Sequence, residues 1–231
     1  MGGGGAACLP VARKERGGVE PMLYVADVGV KCPNCGVRFT SRQLPVLFDT
    51  GYRNSELRQD FGGRIQQMEH YAVVTCPSCG NADWSSKFEP TGEPAALTQP
   101  NTPAHLQFRA AALGAERAGR DFYNVGLFYL HAAWCADDVN ALPQAREYRK
   151  LAADAFGKSL VDISCPIDRR AETEYLIGEL LRRAGEFEAS RAHFNAVLPQ
   201  LPSRFAIMAR KLIRMCEGRN AGSLDFQANG G

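Results

Sequence analysis

The pentapeptide Cys-Pro-x-Cys-Gly occurs twice, as Cys32-Pro33-Asn34-Cys35-Gly36 and as Cys76-Pro77-Ser78-Cys79-Gly80, and this pairing constrains the chain more than any other feature. Two residues between the cysteines let both sulfurs face one point. The proline stiffens the turn, and the glycine supplies the positive φ needed after the second cysteine. Each copy follows a run of strand formers, at 23–28 and at 71–75. Two such turns together offer the four-sulfur tetrahedron that Zn²⁺ prefers, with Zn–S distances of about 2.3 Å. We read Cys32, Cys35, Cys76 and Cys79 as the ligands of one Zn²⁺ ion. Four sulfurs leave no open position for water, so the metal is expected to be structural. The competing readings are a disulfide or a redox pair, and a thioredoxin-like site needs its Cys-x-x-Cys to open a helix in a βαβ setting, which neither copy has.

The energetic reason for a metal is size. Residues 22–90 hold few large apolar side chains, and small domains often depend on a metal to stay folded. The forty residues between the knuckles exceed the spacing of a compact ribbon, so they must form a sizeable excursion whose structure the residue types leave open.

Eight cysteines in 231 residues, with no basic start and apolar run of a secretory signal, point to a reducing cytoplasm. Gly2 lacks the hydroxyl residue a myristoylation motif wants, since position 6 is Ala6. Lysine and arginine exceed aspartate and glutamate by only 27 to 25, so no large field draws in nucleic acid or an anionic membrane. The apolar stretches fall short of the roughly 18 residues needed to span a bilayer, so no membrane partner is expected. Cys135 and Cys216 lie in apolar helix patterns, where a core thiol is the favoured reading. Cys8 and Cys165 suggest no chemistry.

The organisation expected is a disordered tail over 1–21, a zinc-ribbon-like domain over 22–90, a Pro-rich linker over 91–103, a helical domain over 104–217 and a second disordered tail over 218–231. Helix periodicity predicts six helices, at 105–118, 121–136, 145–160, 169–184, 186–197 and 203–216. The fold class is therefore α+β: a small β-rich zinc ribbon followed by an α-helical array. Residues 169–202 lie on the 34-residue tetratricopeptide pattern, with Gly178 at the close helix approach, Gly185 at the turn and Phe194 in the groove. A degenerate earlier copy carries Phe122, Val125, Gly126 and Tyr129, with Ala152 and Phe156 facing inward. A plain helical bundle is the alternative.

Arg169-Arg170 and Arg182-Arg183 suggest either a grip for an acidic peptide or a solvated face, and nearby Glu172, Glu174, Glu179 and Glu186 favour the second. His70, His105, His131 and His193 form no metalloprotease motif, and no phosphate-binding glycine loop or nucleophile elbow occurs. No catalytic or organic-cofactor residue is assigned. His70 stands nearest a knuckle and reads as an exposed histidine before a strand.

The order of features resembles the bacterial domain-of-unknown-function family 2225, in which two Cys-Pro-x-Cys-Gly knuckles precede tetratricopeptide-like helices. Its carriers here are residues 31–39, 71–80, Ala133-Trp134 and the run 175–185. The resemblance implies zinc binding and supplies no activity. The function expected is a cytoplasmic protein-interaction adaptor that holds a protein or peptide partner through its helical array. The alternative is a nucleic-acid binder using Lys31, Arg38, Arg42, Arg53, Arg58 and Arg64, against which stand seven basic and seven acidic side chains in 22–90. A third is an enzyme assembled from distant residues.

Overall fold

A computed structural model describes residues 25–44, 52–59 and 68–226. The first knuckle joins β1 (Ala26–Lys31) to β2 (Arg38–Gln43), which pair antiparallel with Val30 opposite Phe39. In the excursion lies the short β3 (Arg53–Asn54), followed by a 3-10 turn at Met68–Tyr71. The second knuckle joins β4 (Val73–Thr75) to β5 (Ala82–Trp84), and β6 (Glu89–Gly92) returns to the free side of β1. Six helices follow: α1 (Ala104–Arg117), α2 (Phe122–Asp138), α3 (Leu142–Val161), α4 (Arg170–Ala184), α5 (Phe187–Val197) and α6 (Ser203–Glu217). A final strand, β7 (Asp225–Phe226), pairs with β3. The architecture is the expected α+β arrangement of small antiparallel sheets and a helical array.

The helix boundaries follow local chemistry. Asp121 caps α2 by accepting from the Asn124 backbone N–H at 2.8 Å. Pro143 occupies the first turn of α3, where its missing N–H costs nothing. Gly126 of α2 lies under Phe156 of α3, and Gly178 of α4 under Phe194 of α5, so one device sets both close approaches. A Cβ on either glycine would come within 2.5 Å of the facing ring. Gly178→Ala is expected to lose about 1–3 kcal/mol through overpacking, despite alanine's better helix propensity, which a denaturant midpoint checks. An unchanged midpoint would show that Phe194 is not fixed.

Two cores organise the chain. Val30, Cys32, Phe39, Val74, Cys76 and Phe88 form a small one around the knuckles. The larger runs through the helices and takes in Val73 and Ala82. Trp84 of β5 bridges toward it, stacking on Phe128 at 4.8 Å and meeting Phe108 edge-on.

The Pro-rich segment predicted as a linker is extended, as its prolines demand, yet from Gly92 to Gln99 it is hydrogen-bonded to the ribbon. After β6 the chain passes close over Gly29, where a Cβ would overlap the Glu93 carbonyl. It then pairs with the outer edge of β2: Thr40 N–H donates to Leu97 O, and Gln99 N–H donates to Thr40 O. Edge strands carry unpaired backbone groups, and an extended segment is the natural cover. Residues 218–226, expected in a disordered tail, are likewise placed. Arg182 donates to the carbonyls of Asn220 and Gly222, and Arg183 donates to that of Ala221.

Candidate metal centre and the segment between the knuckles

The two knuckles meet face to face. Cys32 Sγ lies 3.7 Å from Cys79 Sγ, and Cys35 Sγ 3.7 Å from Cys76 Sγ. Four sulfurs at about 2.3 Å from a tetrahedral metal stand about 3.8 Å apart, so the spacing fits Zn²⁺. All four ligand atoms lie within 4.8 Å of one another. Gly36 and Gly80 adopt φ of 74° and 71°, the left-handed turn that their place after the second cysteine requires. Backbone N–H groups of Asn34 and Cys35 donate to Cys32, and those of Ser78 and Cys79 to Cys76. Such donors stabilise thiolate charge and orient the ligands.

The cluster is electrically uneven. Burial pushes the Cys32 thiol up and drives Cys76 up to about 12, whereas the Asn34 side chain, donating at 3.5 Å, helps bring Cys79 down to about 6. Cys32 and Cys76 are buried, and Cys35 and Cys79 are exposed. The cluster is therefore open to solvent on the side of the second cysteine of each knuckle.

The excursion does something that residue types did not reveal: its middle docks on the helices. Ser55 donates through its hydroxyl to Glu179 at 2.6 Å, and its carbonyl accepts from the Tyr175 hydroxyl at 2.8 Å. Glu56 forms a two-pronged ion pair with Arg149, at 2.6 and 2.7 Å, and a longer one with Arg183. Arg149 and Arg183 both also reach Asp137. Arg58 spans Asp138 and Glu69 and donates to the Trp134 carbonyl. Leu224 exchanges hydrogen bonds with Ser55 from the other side.

Burial within this network sets its charges. Desolvation opposes ionised Glu56, but the charges and hydrogen bonds of Arg149, with Arg183 and Arg58, overcome it and hold the carboxyl at about 2. Desolvation wins at Glu179, which is pushed up despite its paired hydrogen bonds from Arg182.

Several expectations change here. Arg182 and Arg183 are not a solvated face: Arg182 is fully buried against Glu179, and Arg183 is mostly covered. The face of α4 around Arg182 and Arg183 is filled by Ser55 and Glu56 on one side and by the carbonyls of Asn220, Ala221 and Gly222 on the other. Of the basic residues considered for nucleic acid, Arg58 is buried in ion pairs and Lys31 pairs with Glu89, while Arg64 lies outside the described residues. His70 is not exposed but half-buried, 3.1 Å from Asp138. Cys135 and Cys216 are core thiols as read, Cys165 is also buried, and Cys8 lies outside the described residues. Among the described residues no helix is long and apolar enough to cross a membrane.

Fold and site together define a class: an α+β protein in which a four-cysteine cluster able to hold a metal ion brings together the two knuckles of a small ribbon that precedes a helical array. No family model, curated protein or solved structure matches the chain.

Proposed function

We propose that this protein is a zinc-stapled, cytoplasmic interaction adaptor: Zn²⁺ held by Cys32, Cys35, Cys76 and Cys79 fastens the ribbon, and the tetratricopeptide-like array offers a docking corner to a protein partner. The reading agrees with the resemblance to domain-of-unknown-function family 2225, and exposed ligand thiols suit a reducing compartment. The observation that carries the adaptor role is the corner between α3 and α4. There Val161, Ile163 and Ile167 are 85%, 83% and 90% exposed within seven residues.

Ile163 has a φ of 59°, a left-handed conformation that a β-branched residue adopts only at a cost of about 1–2 kcal/mol. The backbone around it is pinned by Asp162 Oδ1 accepting from Ser164 N–H and by Ser159 O accepting from Cys165 N–H. A rigid, strained turn that presents three aliphatic side chains to water suits insertion into an apolar pocket of a protein.

The triple variant Val161→Ser, Ile163→Gly, Ile167→Ser is expected to keep its thermal midpoint, or to raise it slightly by relieving Ile163. It is expected to lose by tenfold or more its affinity for a purified partner identified with the wild-type chain in its own cells. Equal affinity in the triple variant would remove the corner from the proposal.

A further inference from the structure

A second cluster of metal-ligating side chains lies apart from the cysteine centre. His70, on the 3-10 turn before β4, meets Cys135 and Asp138, which stand one turn apart near the end of α2. An imidazole nitrogen, the Cys135 sulfur and an Asp138 oxygen all lie within 4.8 Å of one another. We propose that His70, Cys135 and Asp138 hold a second transition-metal dication of the zinc class.

The chemistry of the three donors selects the ion. One sulfur, one nitrogen and one oxygen suit a borderline-soft dication such as Zn²⁺ or Co²⁺, not Mg²⁺ or Ca²⁺, which take oxygen ligands. His70 also lines a cleft of about 710 Å³ with Asp27, Arg42, Tyr71 and Gln107, so one of the three donors is reached from outside. Three protein ligands leave a fourth position for solvent or a small ligand, unlike the closed four-sulfur centre.

Arg58 is the group that argues most against a cation here, and its geometry is compatible with one. It donates to Asp138 Oδ1 at 2.8 Å and Oδ2 at 2.7 Å, and to both oxygens of Glu69. A carboxylate accepts about four hydrogen bonds, so Arg58 uses one site on each oxygen. The further site on Oδ2 now faces His70 Nε2 at 3.1 Å, and that contact gives way when nitrogen and oxygen turn to a shared ion. Arg58 then orients Asp138 from behind, as the hydrogen-bond partners of metal-bound carboxylates do. Asp138, Glu69 and Arg58 carry charges that sum to minus one. A dication bound by the Cys135 thiolate, with the thiol proton leaving to solvent, brings the sum to zero.

The test is metal stoichiometry of the full chain purified in zinc and dialysed against buffered free zinc. The expected ratio is two per chain for the wild type and one for His70→Ala/Cys135→Ala, with helical circular dichroism retained. Adding Co²⁺ to protein carrying one Zn²⁺ should give the charge-transfer absorption of a single thiolate, not of four. A ratio of one in the wild type overturns the proposal, because His70 and Asp138 then make only a hydrogen-bonded contact. A ratio of two that survives the double variant, or a cobalt spectrum with four thiolates, overturns it equally.

Discussion

Stripping the metal from the cysteine centre, or replacing Cys76 by serine, is expected to unfold the ribbon. The apparent free energy of a structural zinc site is on the order of 10 kcal/mol at neutral pH. That is comparable with the whole margin of a folded domain, about 5–15 kcal/mol. The small core around the knuckles includes Cys32 and Cys76 themselves, with only Val30, Phe39, Val74 and Phe88 as further buried members. Without the metal, the Asn34 side chain on Cys79 and this small shared core are left to hold the two knuckles together. The helices have a larger core of their own, so most helical circular dichroism should persist on chelation while the amide signals of β1 and β2 collapse. A metal-stripped chain with the same amide spectrum and denaturation curve as the loaded one would sink the structural-zinc assignment.

Glu56→Gln is expected to cost about 3–5 kcal/mol, the usual penalty for removing one partner of a buried ion pair. Arg149 is 2% exposed and would keep its charge with only Asp137 to answer it. The double variant Glu56→Gln/Arg149→Met should recover part of the loss, since it leaves neither charge stranded. Acid gives an independent readout. Glu56 has its carboxyl lowered from 4.5 to about 2 on folding, so its contribution is fully present above pH 4.5 and is lost as the pH falls toward 2. The shift corresponds to about 3 kcal/mol. Urea midpoints measured between pH 5 and pH 2 should therefore fall more steeply for wild type than for Glu56→Gln. Parallel curves would mean that Glu56 is not the group that titrates.

The parts of this chain that could be read in advance are those whose cause is local. A knuckle needs five consecutive residues, and a helix announces itself by spacing within one face; both were placed to within a few residues. The docking of 53–59 had no such trace, because Ser55 meets Glu179 at a sequence separation of 124 and Leu224 at 169. Arg182 is buried although its sequence neighbourhood suggests a surface residue. Its partner Glu179 stands three residues away, the spacing of an ordinary surface pair, and that pairing does form. The missed signal is the face: Tyr175, Glu179 and Arg182 recur at i, i+4 and i+7, the stripe that meets the core. Arg149 shares its stripe with Ala145, Ala152 and Phe156 in the same way. A charge on an apolar stripe needs a partner from elsewhere in the chain, and Glu56 is that partner.

The clasp of β3 by β7 bears on the order in which the molecule is made. Ribosomal synthesis releases Ser55 and Glu56 long before Arg149, Glu179 or Leu224 exists, so the excursion has nothing to settle on while the knuckles are already complete. A metal captured early would close the ribbon with its middle segment still waiting. Folding then ends with the most distant contacts, which form slowly because closing long loops costs entropy before any reward. Until residues 220–226 arrive, Arg182 and Arg183 lack the carbonyls of Asn220, Ala221 and Gly222 that meet them in the finished fold.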